Sequence, residues 1–503
     1  MPEQINDGGS EAPVPVPTTK TSIVKTVLSE LGLVSLWESP RDVKLLCGQR
    51  FVRMLGYGMS TLILVAYLDA LGNRKTEIGL FMTLTLAGDV CISFFLTLFA
   101  DALGRKATLA LGALLMTGSG VVFALFSSYW ILLAAAIVGV ISPNGNEIGP
   151  FRAIEESTVA QLTEPGNRSD VYTWYGLGGL AGAASGIIIC GWILQFLTET
   201  LQWTLLGSYR AIFVIYAAVG LLKLCLTIFL SHSVEAEKKQ HRKNQTSPQG
   251  DETTPLLTRE STNEPQGASA DAKYARGLRK LLPDIRKDSA TVIIVLCFLF
   301  GLDALGSGVN PLSWITYYFQ WRFDIEKGEL GSIFFTTQII SALSMLVASS
   351  IAKRLGNVQT MVITHLPSQV FRALIGVPDN VHVALLFLIL NASTTSMDTA
   401  PRSAFLATII PPEERTAVMG TLNVVKTTTS SLGPIVTGVL VDHNLYWVSF
   451  LLGGSLKGLY DIGILIFFVH KEKELEKRER DRIREQEEHA NSLTHGDHPE
   501  EAS

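Results

Sequence analysis

The chain has 503 residues, 47% of them hydrophobic and only 17% charged, with a net charge of −5 and a mean hydropathy of +0.30. A soluble chain of this length carries about a quarter charged residues, so a water-soluble globular domain is disfavoured. No basic face interleaved with aromatics points to nucleic acid. No phosphate loop, zinc-ligand spacing or Gly-x-Ser-x-Gly element points to an enzyme, a metal or a cofactor.

Residues 1–43 are polar and Pro-rich (MPEQINDGGSEAPVPVPTTK at the start). They lack an apolar core and are expected to be a disordered tail, not a cleaved signal peptide. Apolar stretches of about 20 residues, each long enough to cross a bilayer, follow near 48–70, 78–100, 107–127, 130–155, 171–197 and 208–230. They predict an N-terminal six-helix bundle over 44–230. The segment 231–288 is rich in Lys, Glu, Gln, Ser, Thr and Pro and cannot bury a core; its end, ARGLRKLLPDIRKD, suits a basic amphipathic helix on the membrane surface. A second bundle over 289–470 is expected, with spans near 290–318, 329–352, 358–376, 382–409, 418–441 and 447–469. The tail 471–503, with KEKELEKRERDRIREQEE, has helical charge pairing but almost no apolar seam, which predicts a solvated helix. Cys47, Cys91, Cys190, Cys225 and Cys297 lie in or beside apolar stretches and read as small hydrophobes. Lys106, Lys353, Arg354 and the linker bases fall on one side, which the positive-inside rule makes cytoplasmic together with both termini; Arg74 and Lys75 oppose this but are outvoted.

The two halves match at an offset of about 250 residues. Arg53-Met-Leu-Gly56-Tyr-Gly58 matches Asp303-Ala-Leu-Gly306-Ser-Gly308. Asp101-Ala-Leu-Gly104-Arg105-Lys106 matches Lys353-Arg354-Leu-Gly356-Asn357. Glu147-Ile-Gly-Pro150 matches Asp398-Thr-Ala-Pro401, and Pro165-Gly-Asn-Arg168 matches Pro412-Glu-Glu-Arg415. Four matches in one order at nearly one spacing indicate an internal repeat. Six is even, so both repeats enter the membrane from the same side and are parallel.

Over roughly residues 44–470 the chain resembles the major facilitator superfamily. Asp101-x-x-Gly104-Arg105-Lys106 is similar to that superfamily's signature loop between its second and third helices, and Gly433-Pro434 is a common accompaniment. Thr97 stands where the signature usually has Gly. The fifth span carries small residues at Gly178, Gly182 and Gly186 but lacks the Gly-Pro pair typical of drug–proton antiporters. The resemblance implies an all-α polytopic membrane protein, with twelve transmembrane helices as two parallel six-helix repeats around a central cavity. It also implies that helices one, four, seven and ten line that cavity. The implied function is secondary active transport of a small solute by alternating access, as a symporter or antiporter, with protons a candidate coupling ion. A non-transporting sensor or scaffold of the same fold is the alternative.

A charge at the centre of a membrane helix costs roughly 2.5–3.5 kcal/mol on insertion scales and marks function by default. Arg53, Glu147, Asp303 and Asp398 lie on helices one, four, seven and ten. Arg53 and Asp303 hold equivalent positions with opposite charge, so a pair across the pseudo-two-fold axis is expected; the alternative is a snorkelling Arg53 and a local contact for Asp303. Ser142-Pro-Asn-Gly-Asn-Glu147-Ile-Gly-Pro150 should break a helix, and non-helical backbone at membrane depth is tolerated only where it is buried in protein or lines a cavity. Glu147 there can hold a cation, a proton or a substrate amine, or plug a kinked helix. Arg152, Glu155 and Glu156 are expected in interface and gate salt bridges. Asp89, deep in the second span, is a candidate proton carrier or a hydrogen-bonded structural acid. Asn391, Ser393, Thr394, Thr395 and Ser396 either line the cavity or bond between helices. Trp314, Tyr317 and Tyr318 are expected in an interfacial aromatic belt. Asp101, Gly104, Arg105 and Lys106 are gating machinery.

Glu252-Thr-Thr-Pro-Leu256-Leu257 in the linker resembles the acidic dileucine signal of lysosomal and vacuolar membrane proteins, so Glu252, Leu256 and Leu257 are candidate sorting residues. The plasma membrane is the other candidate location. The expected partners are a small-molecule solute, protons and the lipid bilayer, with no nucleic acid, and the chain is expected to act as a monomer.

Overall fold

The computed structural model describes residues 33–139, 141, 150–164, 166–235, 287–411 and 414–495. After a short turn of helix at Leu33–Glu38, the first half comprises Arg41–Ala70, Lys75–Leu103, Arg105–Leu125, a fourth span in two pieces (Tyr129–Val138 and Pro150–Leu162), Arg168–Gln195 and Leu205–Ile228. The second half comprises Lys287–Val309 continued by Leu312–Phe323, then Lys327–Leu355, Asn357–Leu374, Val381–Thr395 continued by Thr399–Ile409, Arg415–Asp442 and Tyr446–His495. Among the described residues, nine helices are long and apolar enough to cross a membrane. The last helix runs on into the charged tail. Glu147, Glu252, Leu256 and Leu257 lie outside the described residues, as does the stretch 142–149 around Glu147.

Odd-numbered spans leave the face that bears the described chain ends, here the termini face; even-numbered spans return to it. The first span is the most enclosed, with 83% of its apolar window buried. Large side chains such as Trp130, Ile466 and Phe467 point outward, more than half exposed, where lipid replaces water. Close helix approach is set by small residues. A Cβ on Gly186 of the fifth span would sit 2.0 Å from the Leu55 carbonyl oxygen of the first. A Cβ on Gly433 of the eleventh would sit 1.9 Å from the Gly308 backbone of the seventh. The two contacts are repeat equivalents. Gly104 and Gly356, which open the third and ninth spans, have φ of +93° and +86°, a left-handed backbone that only glycine adopts without strain.

The halves join at the face opposite the termini. Asp442, at the end of the eleventh span, accepts the backbone N–H groups of Lys75 and Thr76 at 3.0 and 2.9 Å. A carboxylate from one half thus caps the second helix of the other, where the free N–H groups and the helix dipole favour an anion. Gln195, near the end of the fifth span, does the equivalent for the eighth, its Oε1 accepting the Gly328 N–H at 3.1 Å while its Nε2 donates to Glu326 at 2.7 Å. Asp69 accepts the Tyr317 hydroxyl at 2.7 Å and pairs with Lys75.

Trp314, Tyr317 and Tyr318 correct the expectation of an interfacial belt. They are 1%, 5% and 2% exposed and pack against one another and Tyr446. Pro311, which has no N–H, interrupts the seventh helix, and the continuation through Phe323 buries its aromatics in the seam between the halves.

Candidate functional site

A cavity of about 790 Å³ lies between the termini-face parts of the two halves. Arg152 and Glu156 of the fourth span line one wall; Asp303, Asp398, Arg402 and Lys426 are among those lining the other. Arg152 and Glu156 pair one helical turn apart at 2.7 Å and are partly exposed to the cavity, as a gate pair would be.

Each half holds a buried charge cluster beside or behind this wall. In the first half, both guanidinium ends of Arg53 donate to Glu155, at 2.6 Å each, with the side chains 1% and 0% exposed. The Tyr175 hydroxyl donates to the same carboxylate at 2.7 Å, and Lys223 lies 4.0 Å away. Arg50 stacks on the Tyr175 ring, 4.3 Å from its centre. In the second half, Asp303 accepts Lys457 at 2.7 Å on one oxygen and Arg402 at 2.9 Å on the other. Arg402 also pairs with Asp398 four residues earlier.

Arg53 and Asp303 therefore do not form the expected pair. Both oxygens of Asp303 are occupied within its own half, and Arg53 forks onto Glu155. At the level of whole spans, not of residue positions, the correspondence between the halves extends further. Spans one and seven supply Arg53 and Asp303, four and ten supply Glu155 and Arg402, and six and twelve supply Lys223 and Lys457. The lysines sit in matching runs, Gly220-Leu-Leu-Lys223 and Gly454-Ser-Leu-Lys457. The acid and the arginine have exchanged helices between the halves, while the lysine has not.

On the ninth and twelfth spans, His365 and Asp461 form a second pair, with Nδ1 2.9 and 3.0 Å from the two carboxylate oxygens. The Gln369 amide nitrogen lies 3.0 Å from His365 Nε2, which places the proton of a neutral ring on Nδ1. Oε1 of Gln369 is buried with no hydrogen-bond partner among the described residues. His365 also lines the cavity.

Other expected site residues fall elsewhere. Asp89 is 6% exposed and accepts the Ser93 hydroxyl at 3.4 Å, away from the cavity lining. Asn391 takes the interhelical alternative, its amide donating to the Ser368 carbonyl of the ninth span at 2.8 Å. Of the polar run after it, Thr395 lines the cavity. Around the signature loop, Glu235 accepts the backbone N–H groups of Arg105 and Lys106 at 2.8 and 3.2 Å, and Lys106 donates to the Ile228 carbonyl at 2.9 Å. The Arg105 side chain donates to Gln161 at 2.6 Å. The loop after Gly104 is thus tied to spans four and six; the Asp101 side chain lies outside the description. Sequence reasoning passed over Lys223, His365, Arg402, Lys426, Lys457 and Asp461. Their signal was the one used for Arg53, an ionisable group inside an apolar span; all but Arg402, on the tenth, lie outside helices one, four, seven and ten.

The family model of the Major Facilitator Superfamily matches residues 46–368 and 296–495. The chain belongs to the major facilitator superfamily. Its two overlapping matches agree with the two-fold repeat. An uncharacterized membrane protein of Saccharomyces cerevisiae is 35% identical over 445 residues, covering 87% of this chain and 96% of that protein. Multidrug resistance protein MdtH of Yersinia pestis is 31% identical over 157 residues, only 31% of this chain and 37% of that protein. Among solved structures, the nucleoside transporter NupG superposes with a TM-score of 0.61 at 15% identity over 85% of this chain and 99% of its own. A D-xylose–proton symporter gives 0.61 at 15% over 84% and 96%. At that identity the likeness shows the fold: an all-α membrane protein of twelve helices in two six-helix repeats around a central cavity. The superfamily is one of membrane solute transporters.

Proposed function

We propose that this superfamily member is a secondary active transporter that moves a small polar solute by alternating access, coupled to protons, and that it acts as a monomer. The observation that carries the reading is the asymmetry of the two faces. The halves are joined by reciprocal helix caps at one face and separated by a charged cavity at the other, the form expected of one end state of a rocking transporter. The termini face is proposed as cytoplasmic, because Arg105, Lys106 and Arg354 lie there; the conformation is then open inward. The host membrane, plasma or vacuolar and lysosomal, rests on the Glu252–Leu257 motif.

The caps supply the first test. Each helix cap is worth about 1 kcal/mol, so Asp442→Ala combined with Gln195→Ala is expected to move the two-state equilibrium by about 2 kcal/mol, roughly thirtyfold, toward opening at the far face. A single cysteine replacing Ser332, in a background without the five native cysteines, should then react faster with a membrane-impermeant maleimide. Unchanged labelling would show that the caps do not hold the halves closed.

For coupling, the His365–Asp461 pair is proposed ahead of Asp89 and Glu147. It touches the cavity, and the partnerless Gln369 oxygen can turn to accept from a doubly protonated ring. Lys457, Tyr460 and Asp303 surround it. In proteoliposomes, His365→Gln and Asp461→Asn are expected to lose accumulation driven by a pH gradient while solute exchange continues. Wild-type accumulation by both, with loss in Glu147→Gln or Asp89→Asn, would return coupling to the first half.

A further inference from the structure

Among the described residues, the charges that face the cavity do not cancel. Besides His365, the described lining holds four bases, Arg152, Arg402, Lys426 and Lys457, against three acids, Glu156, Asp303 and Asp398. Each acid is taken. Glu156 pairs with Arg152, Asp303 with Arg402 and Lys457, and Asp398 with Arg402. Lys426 is different. It is half-buried on the eleventh span, and among the described residues no carboxylate lies within ion-pair distance of its ammonium. Its described contact is with the face of Phe300, 5.7 Å from the ring centre. That attraction is weak, and an ammonium that has lost part of its hydration on the cavity wall gains from an anion that replaces it.

From this imbalance we infer that the solute carried in the cavity is a small organic anion, a carboxylate or a phosphate ester, and that Lys426 anchors its charged end. The inference deepens the transporter reading and rests on it for the transport step, but not for binding. An entering oxyanion supplies the negative charge that the described wall does not place on Lys426. Asn423, Ser430 and Thr395 also line the cavity and offer amide and hydroxyl groups to the remainder of the solute. The volume, about 790 Å³, is within the range that encloses a solute of metabolite size. A cationic solute would add to an excess of positive charge. A metal ion finds no group of three His, Cys, Asp or Glu side chains among the described residues.

The test uses the full chain in two assays with one set of probes: lactate, succinate, citrate and glycerol 3-phosphate as anions, putrescine and choline as cations, and xylose as a neutral solute. Thermal unfolding in detergent reads binding, and uptake of labelled probe into proteoliposomes reads transport. At least one anion is expected to raise the wild-type midpoint and to be taken up, and Lys426→Gln to weaken both by roughly tenfold or more, the loss of one charge-assisted contact. Lys426→Arg should keep most of the effect. Without ligand, Lys426→Gln should unfold no earlier than wild type, because it breaks no ion pair; a lysine held for structure would unfold earlier. Anion stabilisation lost in Lys426→Gln, without uptake of any probe, would support the anion site and remove the transporter reading. Uptake confined to putrescine, choline or xylose would leave that reading and overturn the anion. Anion uptake unchanged in Lys426→Gln would overturn the anchor, and silence of every anion in both assays would overturn the inference.

Discussion

Glu155→Gln is expected to lower the stability of the protein by about 3–5 kcal/mol, the cost of leaving a buried ion pair half-dismantled. Arg53, 1% exposed, now places both guanidinium ends on that carboxylate at 2.6 Å, and Lys223 lies 4.0 Å from it. A neutral amide accepts on one side only and cancels no charge. The unfolding midpoint of purified Glu155→Gln should fall sharply, or the protein should fail to accumulate in the membrane. Adding Arg53→Gln should recover part of the loss, but not all, because Lys223 remains. A double-mutant cycle over Arg53 and Glu155 should therefore show coupling. Equal midpoints for wild type and Glu155→Gln would mean that the cluster carries no stability.

Asp303→Asn is expected to abolish transport. This carboxylate is the common partner of Arg402 and Lys457, and it stands in the cavity wall. Removing it leaves Arg402 with Asp398 alone and takes from Lys457 its described ion-pair partner. Truncating one partner of a buried, hydrogen-bonded charge pair costs about 2–5 kcal/mol, which in rate is tens- to thousands-fold. Asp303→Asn with Lys457→Gln restores the charge count and should regain measurable uptake. By contrast, Arg53→Asp with Asp303→Arg should be as inactive as either change alone, because the new arginine would meet Arg402 and Lys457, and the new aspartate would meet Glu155. Recovery of uptake by that exchange would mean that the two residues pair in another state of the cycle, and would undo the separate-cluster account.

These two clusters show how far a one-dimensional reading reaches. The apolar stretches, their count, the parallel repeat and the signature loop were legible because each depends on residues close in sequence: bilayer thickness sets span length, and Gly104 is needed for a tight turn. The insertion cost of a lone charge likewise marked Arg53, Asp303 and Asp398 without any knowledge of packing. The partners were not legible. Repeat equivalence says that Arg53 and Asp303 occupy matching places in two bundles, and matching places are not adjacent ones. Which acid faces which base depends on the rotation and depth of helices brought together from 102 and 154 residues apart, as for Arg53–Glu155 and Asp303–Lys457. For the second pair a small residue permits that apposition: a Cβ on Gly306 of the seventh span would sit 2.8 Å from the Gly453 carbonyl oxygen of the twelfth. The same holds for Trp314, Tyr317 and Tyr318. Their place near a span end suggested the membrane interface, and only the packing of the seventh helix against the first and twelfth put them inside. Hydropathy determined which segments leave water; the contacts between helices alone decided which charges meet.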